Sequence, residues 1–242
     1  MAKELKGKDS VAPFPTEPSV LSRIFLFRGV PARDLERLAA LMHERSFPAG
    51  ASVLTAEEPG EAVYVLLGGT VKVHTSLPDG TQVILAVLGP GEVVGEMSVA
   101  DSLGHSASVT TLEESTFLWM DRKTFLSGIE EVPAISRNLL GILSRRLRLA
   151  DTQTRSLAAL DVHGRVAAQL LAFAREYGEP LPEGGVLIPL RLTQTDLGGL
   201  VGASRVRVNQ VLGYYRKRGD ISMDKEGRII VRDEEPLARR AR

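Results

Sequence analysis

Near its C-terminal end the chain reads Thr193-Gln-Thr-Asp-Leu-Gly-Gly-Leu-Val-Gly-Ala-Ser-Arg-Val-Arg-Val-Asn209. This pattern is typical of two short helices joined by a tight turn. Thr193 and Asp196 have the spacing of a capping box at the start of the first helix, with Asp in place of the usual Glu or Gln. Gly202 can adopt the turn conformation, and Ser204 can cap the second helix. The segment therefore predicts a helix-turn-helix.

The second of these helices keeps polar side chains on the face opposite its apolar residues. Arginine can pair with both acceptors of a guanine edge, and Asn or Gln with an adenine edge. Hydroxyl groups and main-chain N–H groups at helix starts suit phosphates. A two-stranded wing is predicted over Ile221–Val231, with its turn at Asp224–Gly227. The candidate DNA-binding residues are Thr193, Gln194, Thr195, Ser204, Arg205, Val206, Arg207, Asn209, Gln210, Lys225 and Arg228.

The charge of the chain is unevenly distributed. The 242 residues contain 30 basic and 30 acidic side chains, so the formal net charge is zero. Residues 191–232 nevertheless hold nine Lys or Arg against four Asp or Glu, an excess of five positive charges. A basic module attached to an acidic remainder is typical of a nucleic-acid-binding protein. Two alternatives are a solvated surface that happens to be basic, and a winged helix used only for protein contacts.

Composition excludes several other classes. The chain has no cysteine, which excludes disulfides, thiolate metal sites and cysteine-ligated iron–sulfur clusters. No apolar run approaches the roughly 18 residues of a membrane helix. The charged start, Met1 to Lys8, lacks the apolar core of a signal peptide, so a cytoplasmic protein is expected. No catalytic triad, metal-ligand cluster or phosphate-binding loop has useful spacing, so neither an enzyme nor a metal site is predicted.

The middle of the chain changes from helical to strand-like patterns. Residues 19–46 are predicted to be helical, because Leu35, Leu38 and Leu41 recur at helical spacing. From Phe47 to Met120, short runs of strand-forming residues alternate with Gly- and Pro-rich turns. Many short strands with such turns predict an antiparallel sandwich or barrel.

A long helix is predicted over residues 132–160. One of its faces repeats apolar or small residues in steps of three and four, which predicts a pairing seam between two copies of the chain. The alternative is that this face packs on the chain's own barrel, whereas Arg145, Arg146 and Arg148 are expected on the exposed side. The seam residues are Leu140, Leu143, Leu147, Ala150, Thr154 and Leu157.

These patterns give an α+β fold in five parts. The prediction is an N-terminal antiparallel sandwich or barrel, a long central dimerisation helix and a C-terminal winged helix-turn-helix. The expected boundaries are a flexible tail at 1–18, a sensor domain at 19–131, the dimerisation helix at 132–161, the winged helix at 162–233 and a charged, mobile tail at 234–242.

From about Leu21 to Val231 the chain resembles the CRP/FNR family of transcription regulators. The resemblance implies a β-roll of the cyclic-nucleotide-binding type, a homodimer on a two-fold operator in double-stranded DNA, contact with RNA polymerase, and activation. The motifs that carry it, besides the helix-turn-helix, are Phe27–Pro31, Gly50, Tyr64–Val73, Asp79-Gly80, Gly89–Met97, Arg145–Leu147 and Leu160–Arg165.

The resemblance also implies a phosphate-binding cassette between Gly95 and Ala107. In members that bind cAMP, a Gly-Glu pair opens the cassette and an Arg-Ser/Thr pair closes it. Here His105 takes the place of the arginine, and Ala150 and Asp151 replace the adjacent hydroxyl residues that face the adenine. The candidate ligand-binding residues are Gly95, Glu96, Met97, Ser98, His105, Ser106, Ala107, Asp151 and Thr152.

These departures leave the effector open. His105 can act as a weaker, pH-sensitive phosphate partner for cAMP or a related nucleotide. Alternatively the β-roll binds no ligand, or it binds another small molecule such as a carboxylate metabolite. Heme is disfavoured because the four histidines are scattered and no cysteine is present. On the recognition helix, Val206 and Gln210 depart from the cAMP receptor branch, so a half-site other than TGTGA is expected.

Overall fold

The computed structural model of the chain describes residues 18–101 and 103–242. The flexible tail predicted over 1–18 lies outside this part, except for Pro18, which begins a helix. A short 3-10 turn covers Phe25–Phe27. The described residues form helices α1 Pro18–Arg23, α2 Ala32–Ala39, α3 Glu96–Asp101, α4 Arg122–Glu131, α5 Pro133–Ala159, α6 Val162–Tyr177, α7 Gln194–Val201, α8 Arg205–Arg218 and α9 Glu234–Arg240.

In the part of the chain that the structure describes, the strands form three four-stranded antiparallel sheets, whose orders are β1-β8-β3-β6, β2-β7-β4-β5 and β11-β12-β10-β9. The strands are β1 His43–Phe47, β2 Ser52–Leu54, β3 Ala62–Gly68, β4 Val71–Ser76, β5 Gln82–Leu88, β6 Val93–Val94, β7 Ser108–Thr111, β8 Ser115–Asp121, β9 Glu179–Pro180, β10 Val186–Leu187, β11 Ile221–Met223 and β12 Ile229–Val231.

The chain divides into two compact units. The first, the sensor unit, contains the chain up to Thr75 together with Val87–Arg146. The second, the DNA-reading unit, contains Ser76–Ala86 and Leu147–Arg242. The boundary in the sequence therefore lies within the long helix α5, between Arg146 and Leu147.

Strand alternation organises the core of the sensor unit. Val63 and Val65 on β3 are fully buried on one face of the sheet, where they join an apolar cluster with the helices. Tyr64, between them in sequence, points to the other face and meets Phe117 edge to face, with 6.0 Å between ring centroids. The cluster on the first face includes Leu21, Leu38, Met42, Leu118, Met120, Phe125, Ile135 and Ile142.

Helical structure in the N-terminal part is shorter than the sequence pattern suggested. α2 ends at Ala39, and His43–Phe47 forms strand β1 instead of continuing the helix. Each residue of β1 pairs with a residue of β8, from His43 with Trp119 to Phe47 with Ser115. Tertiary pairing thus overrides the helical spacing of the leucines before it.

The C-terminal residues also differ from expectation, since they form helix α9 rather than a mobile tail. Asp233 caps the helix by accepting a hydrogen bond from the Glu235 N–H at 3.0 Å. Acidic residues occupy its first turn and basic residues its last, which suits the helix dipole. Leu237 is fully buried, and this burial fixes α9 against the rest of the DNA-reading unit.

Candidate effector pocket and DNA-reading face

The cassette opens with a turn that only glycine can make here. Gly95 has a φ of +89°, and a Cβ at this position would lie 2.7 Å from the carbonyl oxygen of Ala62. Both the backbone conformation and the close approach therefore exclude a side chain. Helix α3 begins at the next residue, so the turn fixes where the carboxylate of Glu96 lies.

Glu96 is held by an arginine of α5. Its side chain is only 2% exposed, and Arg146 Nη1 donates to Glu96 Oε1 at 2.6 Å. Burial raises the pKa of Glu96, and the charge of Arg146 opposes that rise. The second guanidinium nitrogen of Arg146 donates to Glu92 Oε2 at 3.2 Å, while Arg145 Nη2 donates to Glu92 Oε1 at 2.7 Å.

This network corrects the expectation that Arg145 and Arg146 point into solvent. Both guanidinium groups form ion pairs with glutamates in or next to the cassette, Arg145 with Glu92 and Arg146 with Glu96. These charge-assisted hydrogen bonds connect α5 to the cassette. An ionised carboxylate offers about four acceptor sites, so the pairing with Arg146 leaves Glu96 capacity for a ligand hydroxyl.

His105 lies inside the cassette and contacts the protein itself. Its Nδ1 lies 2.8 Å from Ser98 Oγ, and the Ser98 hydroxyl donates to the Gly95 carbonyl at 3.0 Å. A serine hydroxyl has one hydrogen, so with that hydrogen on Gly95 the His105 Nδ1–H is the donor to Ser98. In neutral His105 the other nitrogen, Nε2, is then an acceptor and cannot donate to a phosphate.

This geometry gives a pH dependence for phosphate binding. Burial lowers the pKa of His105 below its usual value of 6.5, against an opposing effect of Glu58. Only protonated His105 has a second N–H, so if His105 binds the phosphate of cAMP, the affinity should rise as pH falls towards that lowered pKa. Calorimetry should show binding about three- to tenfold tighter at about pH 5.5 than at about pH 8.

The matched variant is H105R, which stays charged over this range and should bind with little pH dependence. Equal wild-type affinity at the two pH values would rule out His105 as a phosphate partner.

The remaining predicted pocket residues are distributed differently. Ser98 and Ala107 are buried, whereas Met97 and Ser106 are exposed at the surface of the cassette. Asp151 and Thr152 are exposed on α5 within the other unit, where Thr152 donates to the Arg148 carbonyl. Their contact with a ligand stays a prediction.

The helix-turn-helix forms with the local contacts expected from its sequence. Thr193 and Asp196 form a reciprocal capping box at the start of α7. Gly202 adopts the left-handed conformation in the turn, with φ of 60°. Ser204 caps α8 by accepting from the Arg207 N–H at 3.3 Å.

The outer face of α8 carries the predicted base-reading side chains. Arg205, Val206, Arg207, Asn209 and Gln210 are all exposed. The side chains already contact one another, because Arg207 Nη1 donates to Gln210 at 3.2 Å and Gln194 of α7 donates to Asn209 at 3.1 Å. Opposite this face, the buried residues of α8 are Val208, Val211, Leu212 and Tyr215.

The two candidate DNA-binding cations of the wing, Lys225 and Arg228, have different surroundings. Lys225 is exposed at the turn between β11 and β12. Arg228 Nε instead donates to Asp224 at 2.7 Å, and its guanidinium also lies 3.4 Å from Glu226. Arg228 therefore has a structural role in closing the wing, and its contact with DNA stays a prediction.

Within residues 18–101 and 103–242, no group of three or more His, Asp or Glu side chains could hold a metal ion. No helix in the same part of the chain is both long and apolar enough to cross a bilayer.

Sequence reasoning missed two arginines of the pocket. Arg146 binds Glu96, and Arg122 Nη1 donates to the Ser98 carbonyl at 3.3 Å. Part of the signal for the first was present in the sequence, since two glutamates four residues apart, Glu92 and Glu96, have a possible counterpart in the adjacent pair Arg145 and Arg146. Nothing in the sequence placed Arg122 beside Ser98.

Two parts of the chain match known domain families. Residues 44–131 match the cyclic nucleotide-binding domain family. Residues 164–240 match the Crp-like helix-turn-helix domain family, which reaches to the last residue of α9.

Known relatives match most of the length of the chain. A CRP-like cAMP-activated global transcriptional regulator from Mycobacterium tuberculosis is 38% identical over 224 residues, covering 92% of this chain and 99% of the relative. The cyclic AMP receptor protein of Thermus thermophilus is 30% identical over 208 residues, covering 86% and 92%. The structure of FixK2 from Bradyrhizobium japonicum shares the fold, with a TM-score of 0.73 at 21% identity, covering 83% of this chain and 98% of that one.

Proposed function

This chain belongs to the CRP/FNR family of DNA-binding transcription regulators, and from that premise we propose that it is a homodimeric activator controlled by cAMP or a related cyclic nucleotide. It is a regulator rather than an enzyme. We further propose that it acts in the cytoplasm on two-fold operators and contacts RNA polymerase there.

The observation that carries effector control is the pairing of Glu96 with Arg146. Glu96 lies in the cassette, and Arg146 is the last residue of the sensor unit on α5. A ligand hydroxyl that donates to Glu96 shares the carboxylate with Arg146 and so changes how firmly Glu96 holds α5. The nucleotide thereby acts on the helix that continues into the DNA-reading unit.

Dimerisation is supported by exposed leucines on α5. In the single chain Leu140 is 66% exposed, Leu147 65% and Leu157 46%. Leu143 is an exception, because it is partly buried against the chain's own core. Ala150 and Thr154 of the same predicted seam are exposed. Apolar residues repeated at this spacing on a solvent-facing helix suit a second copy of the same helix.

An effector-independent regulator is the second candidate, and the contact between His105 and Ser98 favours it. The His105 imidazole forms a hydrogen bond with the Ser98 hydroxyl in the absence of any ligand. In its neutral form it presents an acceptor where a phosphate needs a donor. On this alternative the β-roll is a scaffold, and DNA binding is independent of cAMP.

Selection from a pool of random duplexes by the purified full chain, with and without cAMP, tests the proposal. We expect cAMP to increase recovery of a two-fold site with a guanine in each half-site, read by Arg205, in a sequence other than TGTGA. R205A should lose about 1–3 kcal/mol of specific binding and relax that position alone. Arg175, exposed near the end of α6, provides the charge-matched control R175A.

The outcomes separate the candidates. Equal recovery with and without cAMP favours the effector-independent regulator. TGTGA half-sites would show that Val206 and Gln210 do not set the preference. An absence of any selected site would contradict the proposed sequence-specific regulator.

A further inference from the structure

The N-terminus of α6 is enclosed by the last turn of α9. Asp161 caps α6 by accepting from the Gly164 N–H at 2.8 Å, and its other oxygen receives a hydrogen bond from Arg240 at 3.1 Å. The Arg240 carbonyl lies 2.7 Å from the place where a Cβ of residue 164 would be, so Gly164 permits this close approach. Because Leu237 is fully buried one turn earlier, α9 holds Arg240 at a defined position.

The same end of α6 contacts the recognition helix α8. The Tyr215 hydroxyl donates to the His163 carbonyl at 2.9 Å, and the His163 ring meets Tyr214 edge to face at 5.0 Å. The Gly164 N–H is the main cause of the lowered pKa of Asp161, and the charges of Arg240 and Arg207 lower that pKa further. Arg165, near the start of α6, donates from Nη2 to the Gly202 carbonyl in the turn that precedes α8, at 3.5 Å, so this end of α6 lies beside the start of the recognition helix.

This location matters because the first turn of a recognition helix enters the major groove. Groups beside that turn meet the phosphates that border the groove, where most protein–DNA hydrogen bonds are made. The side chain of Arg240 is 52% exposed, so its guanidinium is accessible to a phosphate. A guanidinium has five N–H donors and can serve Asp161 and a phosphate together.

We propose that α9 is a second DNA-contacting element, in which Arg240 binds a backbone phosphate beside the half-site read by α8. Arg240 also neutralises the Asp161 carboxylate, which would otherwise repel the DNA, but its contact with the phosphate does not require that negative charge. The proposal rests on DNA binding through α8 and adds a contact that carries no base preference.

The test is a double-mutant cycle of D161N and R240Q in the full chain, measuring affinity for the selected duplex over a range of salt concentrations. Asparagine caps helices as well as aspartate, so D161N keeps the cap and removes the charge. If Arg240 binds a phosphate, R240Q lowers the slope of log affinity against log salt by about one unit in both the wild-type and the D161N background. Affinity at moderate salt should fall about three- to tenfold, equally on unrelated duplexes.

R239Q is the matched control on the same helix. Arg239 pairs with Glu235 at 2.9 Å and lies two residues from Leu237, which places it on the opposite face of α9. R239Q removes the same charge and should leave the salt slope unchanged. An unchanged slope for R240Q, a loss seen only when Asp161 is present, or an equal loss for R239Q would each overturn the proposal. Failure of the wild type to bind any duplex would instead contradict the proposed function.

Discussion

The R146A variant is expected to lower the free energy of unfolding of the sensor unit by about 3 kcal/mol. The substitution leaves the carboxylate of Glu96, 2% exposed, without its cation. Breaking a buried ion pair by removing one partner is costly, because the remaining charge stays desolvated. We place the value at the lower end of the usual range because Arg146 is 27% exposed, so water can reach the site.

The loss of unfolding free energy in R146A should increase as pH rises. The pKa of Glu96 is already raised by burial, and removal of Arg146 raises it further. The folded state then binds a proton more strongly than the unfolded state. This contribution to stability is present below the unfolded value of 4.5 and is lost as pH rises through the folded pKa. The deficit of R146A should therefore be larger at about pH 8 than at about pH 5.

The measurement is urea unfolding followed by tryptophan fluorescence. Trp119 is the only tryptophan of the chain and lies on β8, so its emission reports the sensor unit. R145A is the control, since Glu92 then keeps its hydrogen bond from Arg146. E96Q in the R146A background should recover most of the loss. A deficit in R146A no larger than in R145A would show that the pairing with Glu96 is not what stabilises the unit.

Local features of the fold could be predicted from the sequence, and distant pairings could not. The caps at Thr193 and Ser204 depend on residues three positions away, so spacing alone places the helix-turn-helix. The bond between Arg146 and Glu96 joins residues 50 positions apart. The sequence shows both charged residues, but it does not show that the fold brings them into contact.

The C-terminal helix α9 and the orientation of His105 could not be predicted from the sequence, each for a different physical reason. The composition of Glu234–Arg242 indicated a solvated tail, because a single buried leucine among charged residues gives a weak periodic signal. The position of His105 in the cassette could be predicted from the sequence. The direction of its Nδ1 depends on Ser98, and the acceptor of the Ser98 hydroxyl is a backbone carbonyl that no side-chain pattern reveals.

If the chain is the homodimer proposed above, the L147D variant is expected to be a monomer at micromolar concentrations. Leu147 is 65% exposed on the predicted seam of α5, and a charge there would face its counterpart across the two-fold axis. L149D is the matched control, because Leu149 is also exposed but lies two residues, about 200°, around the helix. Sedimentation equilibrium should give the mass of one chain for L147D and of two for L149D and the wild type.

The larger effect should be on DNA binding. A dimer holds its second recognition helix near the second half-site, which raises affinity by about 10²–10⁴ without any new contact. L147D should lose that factor on a two-fold site, yet bind a single half-site duplex as tightly as the wild type, because α7 and α8 are unchanged. Weak binding to both duplexes would indicate damage to the fold. If L147D were still a dimer, the two copies would not pair through the face defined by Leu140, Leu147 and Leu157.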